Sequence, residues 1–346
     1  MYIKFMIEEN KNIYISFWLL CSIFLVILMI IVGGLTRLTD SGLSITQWDI
    51  ISGIIPPLSV AEWENKFSLY KKIPEFFLIN PSMTLDKFKV IFWWEFIHRL
   101  LGRILGLVYL IPLIYFTLIK SIKKKILINL YFVFALICFQ GFFGWYMVQS
   151  GLSERTDVSH YRLSLHLSIA FVILILLIRN YFNFSKISTN STNYCLKPIL
   201  PISLTLLIFL QIVLGGFVSG LDGGQIYQTW PLMNNSYYPD DSTYIQFFSK
   251  DFFNNPSLLQ FAHRNLAYFL FFLFIVIACL VFLNKQLMHL RVITVFIFFA
   301  LLMQIFLGIF TILSGVKIFL ASMHQIGSVF LIITSLILIY KNKIIN

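Results

Sequence analysis

Four histidines and one glutamate carry most of the chemistry that this sequence can do. In "WWEFIHRLLGR", Trp93 to Arg103, a glutamate, a histidine and two arginines interrupt an apolar run, and "QFAHRN", Gln260 to Asn265, repeats the pattern with glutamine in place of the acid. "LSLHL" around His166 and "ASMHQ" around His324 supply a second histidine to each half. Imidazole is a common axial ligand of haem iron, and facing helices of a bundle can build such a site. Pairing within each half, His98 with His166 and His263 with His324, gives two candidate porphyrin sites. Arg99 and Arg264, each adjacent to a histidine, can pair with propionate carboxylates, and Arg37, Arg103 and Arg162 add cations in the first half. A closed zinc site would want four converging ligands, and the thiols of this chain lie elsewhere.

Glu95 stands three residues before His98, so the two project from one helix face. It is the one intramembrane acid of the repeat, and its counterpart Gln260 can hydrogen-bond but cannot take a proton. That asymmetry points to chemistry in the first half and a held cofactor in the second. An ion pair with Arg99, four residues on, or with Arg103 is the plainer reading of Glu95 and does not exclude a catalytic role. A hydrogen bond to a neighbouring backbone would explain any one of the histidines. Four at repeat-related positions and similar depth argue against it, because polar rings in hydrocarbon are costly. His160, in an outer loop, and His289, on the cytoplasmic side, fall outside the repeat and are expected to have surface roles.

The elements that must position these residues follow from composition. Of 346 residues 59% are hydrophobic and 12% charged, with mean hydropathy +0.85, which marks a polytopic membrane protein. Apolar runs able to cross about 30 Å of hydrocarbon fall at 14–37, 90–119, 126–149, 161–181, 198–219, 256–283, 291–313 and 318–340. The first is flanked by Lys4, Glu8, Glu9 and Lys11 with no small-residue cleavage pattern after it, and reads as a retained helix in a bacterial cytoplasmic membrane. Lys120, Lys123, Lys124, Lys125, Arg179, Lys186, Lys197, Lys285, Arg291, Lys341 and Lys343 all fall on one side, which the positive-inside rule makes cytoplasmic, as it does both termini. The histidines then lie about 9–15 Å in from the outer helix ends. The net charge of +11 is spread over membrane-flanking loops, so no nucleic-acid partner is implied. Cys21, Cys138 and Cys279 sit in spans and Cys195 in a cytoplasmic loop, leaving no disulfide pair outside. The long outer loops, 39–88 and 220–255, hold turn residues, and the amphipathic stretch Trp63 to Tyr70 is expected on the membrane surface.

The chain also reads as one motif written twice. "GGLTRLTDSGLSITQW", from Gly33, matches "GGFVSGLDGGQIYQTW", from Gly215, at Gly-Gly, Asp40 or Asp222, Gly42 or Gly224, and Trp48 or Trp230. "QGFFGWYMVQSG", from Gln140, matches "QIFLGIFTILSG", from Gln304, at Gln, Gly and the final Ser-Gly. The expected fold is therefore an all-α polytopic protein: eight transmembrane helices as two tandem four-helix bundles related by a pseudo-twofold axis along the membrane normal. The N-terminal unit spans 1–190 and the C-terminal unit 191–346.

These motifs, with "GIIPPLS", "GWYMVQSGL", "SHYRLSLHL" and "TWPLM", resemble in order and spacing the haem A synthase family, in its alphaproteobacterial and mitochondrial class. The resemblance covers nearly the whole chain. It implies an oxidoreductase that converts the C8 methyl of haem o to a formyl group by two hydroxylations and loss of water, making haem a for cytochrome oxidase. It further implies a haem b cofactor held by His263 and His324, a substrate haem at His98 and His166, and Glu95 as the catalytic acid. Some relatives carry a cysteine pair in the first outer loop; this chain does not. The electron acceptor, delivery by haem o synthase and a homo-oligomeric state stay open. Two rival readings share the histidines: a two-haem electron-transfer cytochrome, which leaves the Glu95 and Gln260 difference unexplained, and a haem transporter or chaperone, which would leave the porphyrin side chains unchanged.

Overall fold

The computed structural model describes residues 2–49, 52–153, 155–185 and 194–342, with side chains of the first helix from Asn12 onward. Lys186 and Lys343, and the side chains of Lys4, Glu8, Glu9 and Lys11, lie outside the described residues. Among the described residues the regular structure is helical: α1 (Tyr2–Leu38), α2 (Val60–Tyr70), α3 (Pro74–Leu78), α4 (Leu85–Leu118), α5 (Lys124–Gln149), α6 (His160–Phe184), α7 (Ile199–Gly220), α8 (Tyr244–Phe247), α9 (Pro256–Leu283), α10 (Arg291–Leu313) and α11 (Ile318–Lys341). Eight of them, α1, α4, α5, α6, α7, α9, α10 and α11, are long and apolar enough to cross a membrane. The chain divides into two compact units, 1–177 and 178–346.

Local chemistry sets the helix ends. Thr84 caps α4 by accepting from the Lys87 N–H, and Asn255 caps α9 with Pro256 in the first turn, where a missing N–H costs nothing. The aspartate shared by the two halves also has a structural task. Asp40 and Asp222 both adopt left-handed backbone, at φ 47° and 49°, where aspartate is better tolerated than most residues. After α1, the Ser41 N–H reaches the Thr36 carbonyl at 2.9 Å and the Asp40 N–H reaches Arg37 at 3.2 Å, the paired bonds that close a helix end.

In the first unit α4 packs against α1, α2 and α5. Trp18 and Tyr109 meet with ring centres 5.1 Å apart, and their polar atoms donate to the carbonyls of Val108 and Leu130 on the neighbouring helices. In the second unit α7 contacts α9, α9 contacts α10, α10 contacts α11, and α11 returns to α7. Leu204, Ile208 and Ile212 form the buried stripe of α7, at helical spacing.

The first long loop is more ordered than its turn-rich sequence suggests. A capping box of Ser59 and Glu62 starts α2, whose apolar side packs on protein rather than facing outward. Phe67 and Tyr70 join Leu43, Ile73, Phe88, Phe92, Phe96 and Val148 in one buried cluster, and Trp63 stands edge-on to Phe92 at 4.9 Å. His160 likewise departs from expectation: it opens α6 and is buried, with its ring 4.3 Å from that of Tyr161.

Candidate functional site

Each of the four intramembrane histidines lies against a glycine of an adjacent helix. A methyl built on Gly33 of α1 would stand 2.9 Å from Cε1 of His98 on α4, and one on Gly144 of α5 3.1 Å from Cε1 of His166 on α6. In the second unit the same holds for Gly215 of α7 with His263 on α9, at 3.2 Å, and for Gly308 of α10 with His324 on α11, at 3.1 Å. No side chain larger than hydrogen fits there without displacing an imidazole, so the glycines that recur in the two halves are ring cradles. Their repetition is visible in the sequence; their purpose is not, because it depends on which helices become neighbours.

The imidazoles so cradled are left with hydrogen-bonding capacity. Nδ1 of His98, His166, His263 and His324 is buried with no hydrogen-bond partner, and an unmade buried hydrogen bond costs about 1–3 kcal/mol. The Nδ1 atom of His289 is orphaned in the same way, and the His263 and His324 rings lie against the backbone carbonyls of Gln211 and Gln304, so what sets the four apart is their pairing against glycines. The rings of His263 and His324 stand with centres 6.3 Å apart and planes at 76°. Two imidazoles bound through nitrogen at about 2.0–2.1 Å to opposite sides of one metal, each ring centre about 1.1 Å beyond its nitrogen, would stand about 6.3 Å apart. The spacing thus fits a single iron gripped from both sides. His98 and His166 are near enough to interact electrostatically, and the Gln140 amide ties α5 to the His166 carbonyl at 2.9 Å. Gln211 does the same for the His263 carbonyl, also at 2.9 Å.

Beside His98, Glu95 is 3% exposed and fully engaged. Its Oε2 accepts from the Ser44 hydroxyl at 2.7 Å and the Ile45 N–H at 2.8 Å, while Oε1 pairs with Arg99 at 2.5 Å. Arg99 also donates to the carbonyls of Ile45 at 2.9 Å and Gln47 at 3.2 Å and lies over the Trp48 ring. The "LSITQW" segment is therefore a strap drawn across α4 by Glu95 and Arg99. Gln260 and Arg264 draw the matching segment of the second unit, donating together to the Tyr227 carbonyl at 3.0 Å each. Arg264 further donates to Leu232 at 3.4 Å and keeps a buried Nε without a partner.

The other first-half cations also serve this loop end. Arg37 pairs with Asp40 at 3.0 Å, Arg103 donates to the Asp49 carbonyl at 2.9 Å, and Arg162 donates to the Tyr146 carbonyl and covers that tyrosine's ring. Sequence reading singled out these arginines but not Ser44 and Ile45, which lie some fifty residues from Glu95 and became its partners only through folding. Among the described residues no group of three or more His, Cys, Asp or Glu is placed to hold a metal ion, and all four cysteines are free.

The family model for COX15-CtaA, cytochrome oxidase assembly protein, matches residues 16–336. The chain belongs to the COX15-CtaA family. Its relatives include a protein named haem A synthase from Pelagibacter ubique (strain HTCC1062), 48% identical over 342 residues, covering 98% of this chain and 99% of the relative. Proteins of the same name from Rickettsia felis and Agrobacterium fabrum are 42% and 46% identical, covering 92% and 76% of this chain and 95% and 72% of the relatives. A COX15-CtaA member of this length with eight apolar helices is a multi-pass membrane protein, and the matched region takes in all four histidines, their glycine cradles and both straps.

Proposed function

We propose that this chain is a haem A synthase: it oxidises the C8 methyl group of haem o to a formyl group, producing haem a for cytochrome oxidase. The observation that carries the reading is the asymmetry between the straps. The first unit places a carboxylate, Glu95, one helical turn from His98, and the second unit has Gln260 at the matching position. An electron carrier with two equal haems has no use for that difference.

In this reading His98 and His166 hold the substrate haem, and Arg99 lies on its propionate side while fixing Glu95. His263 and His324 hold a haem b cofactor, and the free Nε of Arg264 is the donor open to its propionate. That cofactor, when bound, supplies a one-electron carrier whose potential is set by its ligands and burial. The work of the protein's own residues is positional and protonic. Gly33 and Gly144 let the helices close on the rings, the strap of Ser44 to Trp48 excludes water, and Glu95 accepts the proton that each hydroxylation releases or stabilises positive charge growing at the methyl carbon. The geminal diol on the substrate then loses water to give the aldehyde. In this reading both termini lie in the cytoplasm and the haem sites toward the outer face of the bacterial inner membrane, which the distribution of basic residues among the loops supports. Haem o synthase is the natural donor of the substrate, and self-association is compatible with the fold.

The test is pigment analysis. Expressed in a bacterium that makes haem o but no haem a, the chain yields haem a on extraction, identified by chromatography and mass, and Glu95→Gln abolishes it while keeping the bound haem. Haem b alone at two per chain, with haem o available, makes the protein an electron-transfer cytochrome. Haem a at the wild-type level from Glu95→Gln removes Glu95 from the chemistry.

A further inference from the structure

Among the described residues two carboxylates are buried, and both lie in the first unit: Glu95 and Glu75. Glu75 takes no part in the chemistry proposed for Glu95. Glu75 stands at the start of α3 in the first long loop and is 5% exposed. Its Oε1 accepts from the Tyr70 hydroxyl at 3.3 Å, and that hydroxyl accepts in turn from the Asn80 amide at 3.1 Å. Its Oε2 is buried with no hydrogen-bond partner. A loop has little reason to bury half a carboxyl unsatisfied, since a glutamine or an apolar residue would pack there at lower cost.

The position of this group relates it to Glu95. Tyr70 packs on Phe88 with ring centres 5.3 Å apart, and Phe88, Phe92 and Glu95 ascend one side of α4. Phe88 precedes Glu95 by seven residues, so the Tyr70 and Glu75 pair stands about 10 Å nearer the loop-bearing face than Glu95. The Ser44 hydroxyl donates to the Glu95 carboxylate at 2.7 Å and lies 3.3 Å from the Ile91 carbonyl, one turn closer to that face. The ionisable groups around Glu75 are Tyr70 on α2, Asp40 after α1, Asp157 before α6 and Glu95 on α4. Burial, reinforced by these acids, pushes the Glu75 carboxyl up to about 8, against the help of Tyr70.

We propose that Glu75 is a proton-relay residue acting through Glu95, passing the protons of substrate oxidation out to the face of the membrane that bears the long loops. The proposal rests on the reading of Glu95 as a proton acceptor. The step moves protons only: Glu75 first releases its proton from Oε2 to bulk water, the O–H bond on Glu95 then breaks, and its proton passes through intervening water to the vacated Oε2 of Glu75. No electron moves in it. Glu75 is protonated at neutral pH and close to its midpoint, the condition in which one carboxyl can both release and take up a proton.

The test uses the full-length protein with haem o supplied, following haem a formation from pH 6 to 9 alongside haem content and thermal midpoint. Glu75→Gln is expected to slow formation at least tenfold at pH 7–8, with haem content unchanged, and to remove the limb of the pH profile near 8. Glu75→Asp restores part of the rate with a shifted limb, and carries the test if the glutamine variant fails to fold. A wild-type rate and profile in both variants, or a rate that falls only in proportion to lost haem, overturns the relay. Glu95→Gln run in parallel separates the two ideas: active, it sinks the reading of Glu95 itself; inactive beside a wild-type-like Glu75→Gln, it sinks the relay alone.

Discussion

Adding one methyl group at Gly215 or Gly308 should detach ligation from folding. The new Cβ would stand 3.2 Å from Cε1 of His263 or 3.1 Å from Cε1 of His324, where carbon atoms prefer about 3.5–4.0 Å. The ring at Gly308 must retreat by about 0.4–0.9 Å to restore that spacing. A metal–ligand distance is held to within about 0.2 Å, so the displacement exceeds what ligation accepts. Stability responds differently. Alanine gains about 0.8–1.0 kcal/mol over glycine inside a helix, and modest overpacking costs about 1–3 kcal/mol, so the net loss is about 2 kcal/mol at most. Gly106 and Gly141 have nothing within 4 Å of an added Cβ and serve as controls that take the helix gain without the overlap. The assay is optical and electron paramagnetic resonance spectroscopy of the purified proteins. Gly215→Ala and Gly308→Ala lose most of the low-spin signal of iron held by two imidazoles yet unfold within a few degrees of wild type, while Gly106→Ala and Gly141→Ala keep the full signal. Undiminished low-spin haem in both cradle variants would refute the assignment of His263 and His324.

Two further outcomes follow from the straps and the loop. Arg264→Lys cannot span the carbonyls of Tyr227 and Leu232 with one ammonium; it is expected to cost about 1.5–3 kcal/mol and loosen the second long loop, seen as faster proteolysis between α7 and α9, and an unaltered cleavage pattern would count against the strap. Glu75 should also govern stability against pH. An unfolded glutamate releases its proton near 4.5 and the folded one near 8, so between those values the folded protein binds more protons and its stability falls as pH rises. Thermal midpoints of Glu75→Gln should decline less than those of wild type across that window, and parallel declines would contradict the burial of an ionisable group there.

Apolar run length was enough to locate the eight long helices, and their ends fall where Thr84, Asn255 with Pro256, and the left-handed Asp40 and Asp222 stop or start helical hydrogen bonding. The first long loop was harder to read. Its α2 has the alternation of a surface helix, yet Phe67 and Tyr70 meet Phe88 across about twenty residues of sequence, and only that contact decides between lipid and protein as the partner. The histidines announced themselves through charge and spacing within a helix, because i to i+4 relations are local. Their cradles did not, since the approach of Gly33 to His98 is a property of two helices and neither sequence motif contains it. His160 misled for the same reason: read as an outer-loop residue, it opens α6 and is buried by tertiary packing.

The exchange of Glu95 for Gln260 is informative because the surrounding architecture does not require it. In the first unit the residue three before the strap tryptophan, Ile45, gives its N–H to Glu95 and its carbonyl to Arg99. In the second unit the corresponding Tyr227 gives its carbonyl to Gln260 and Arg264 together. A neutral amide is thus sufficient to draw the strap onto its helix. The carboxylate demands more, because an ion removed from water is costly until its oxygens are filled, and here that takes a guanidinium, a serine hydroxyl and a backbone N–H. A strap that glutamine can hold, held instead by an acid that needs three partners, is what the proposed role of Glu95 calls for, since an acid can carry charge and take a proton beside His98 and an amide cannot.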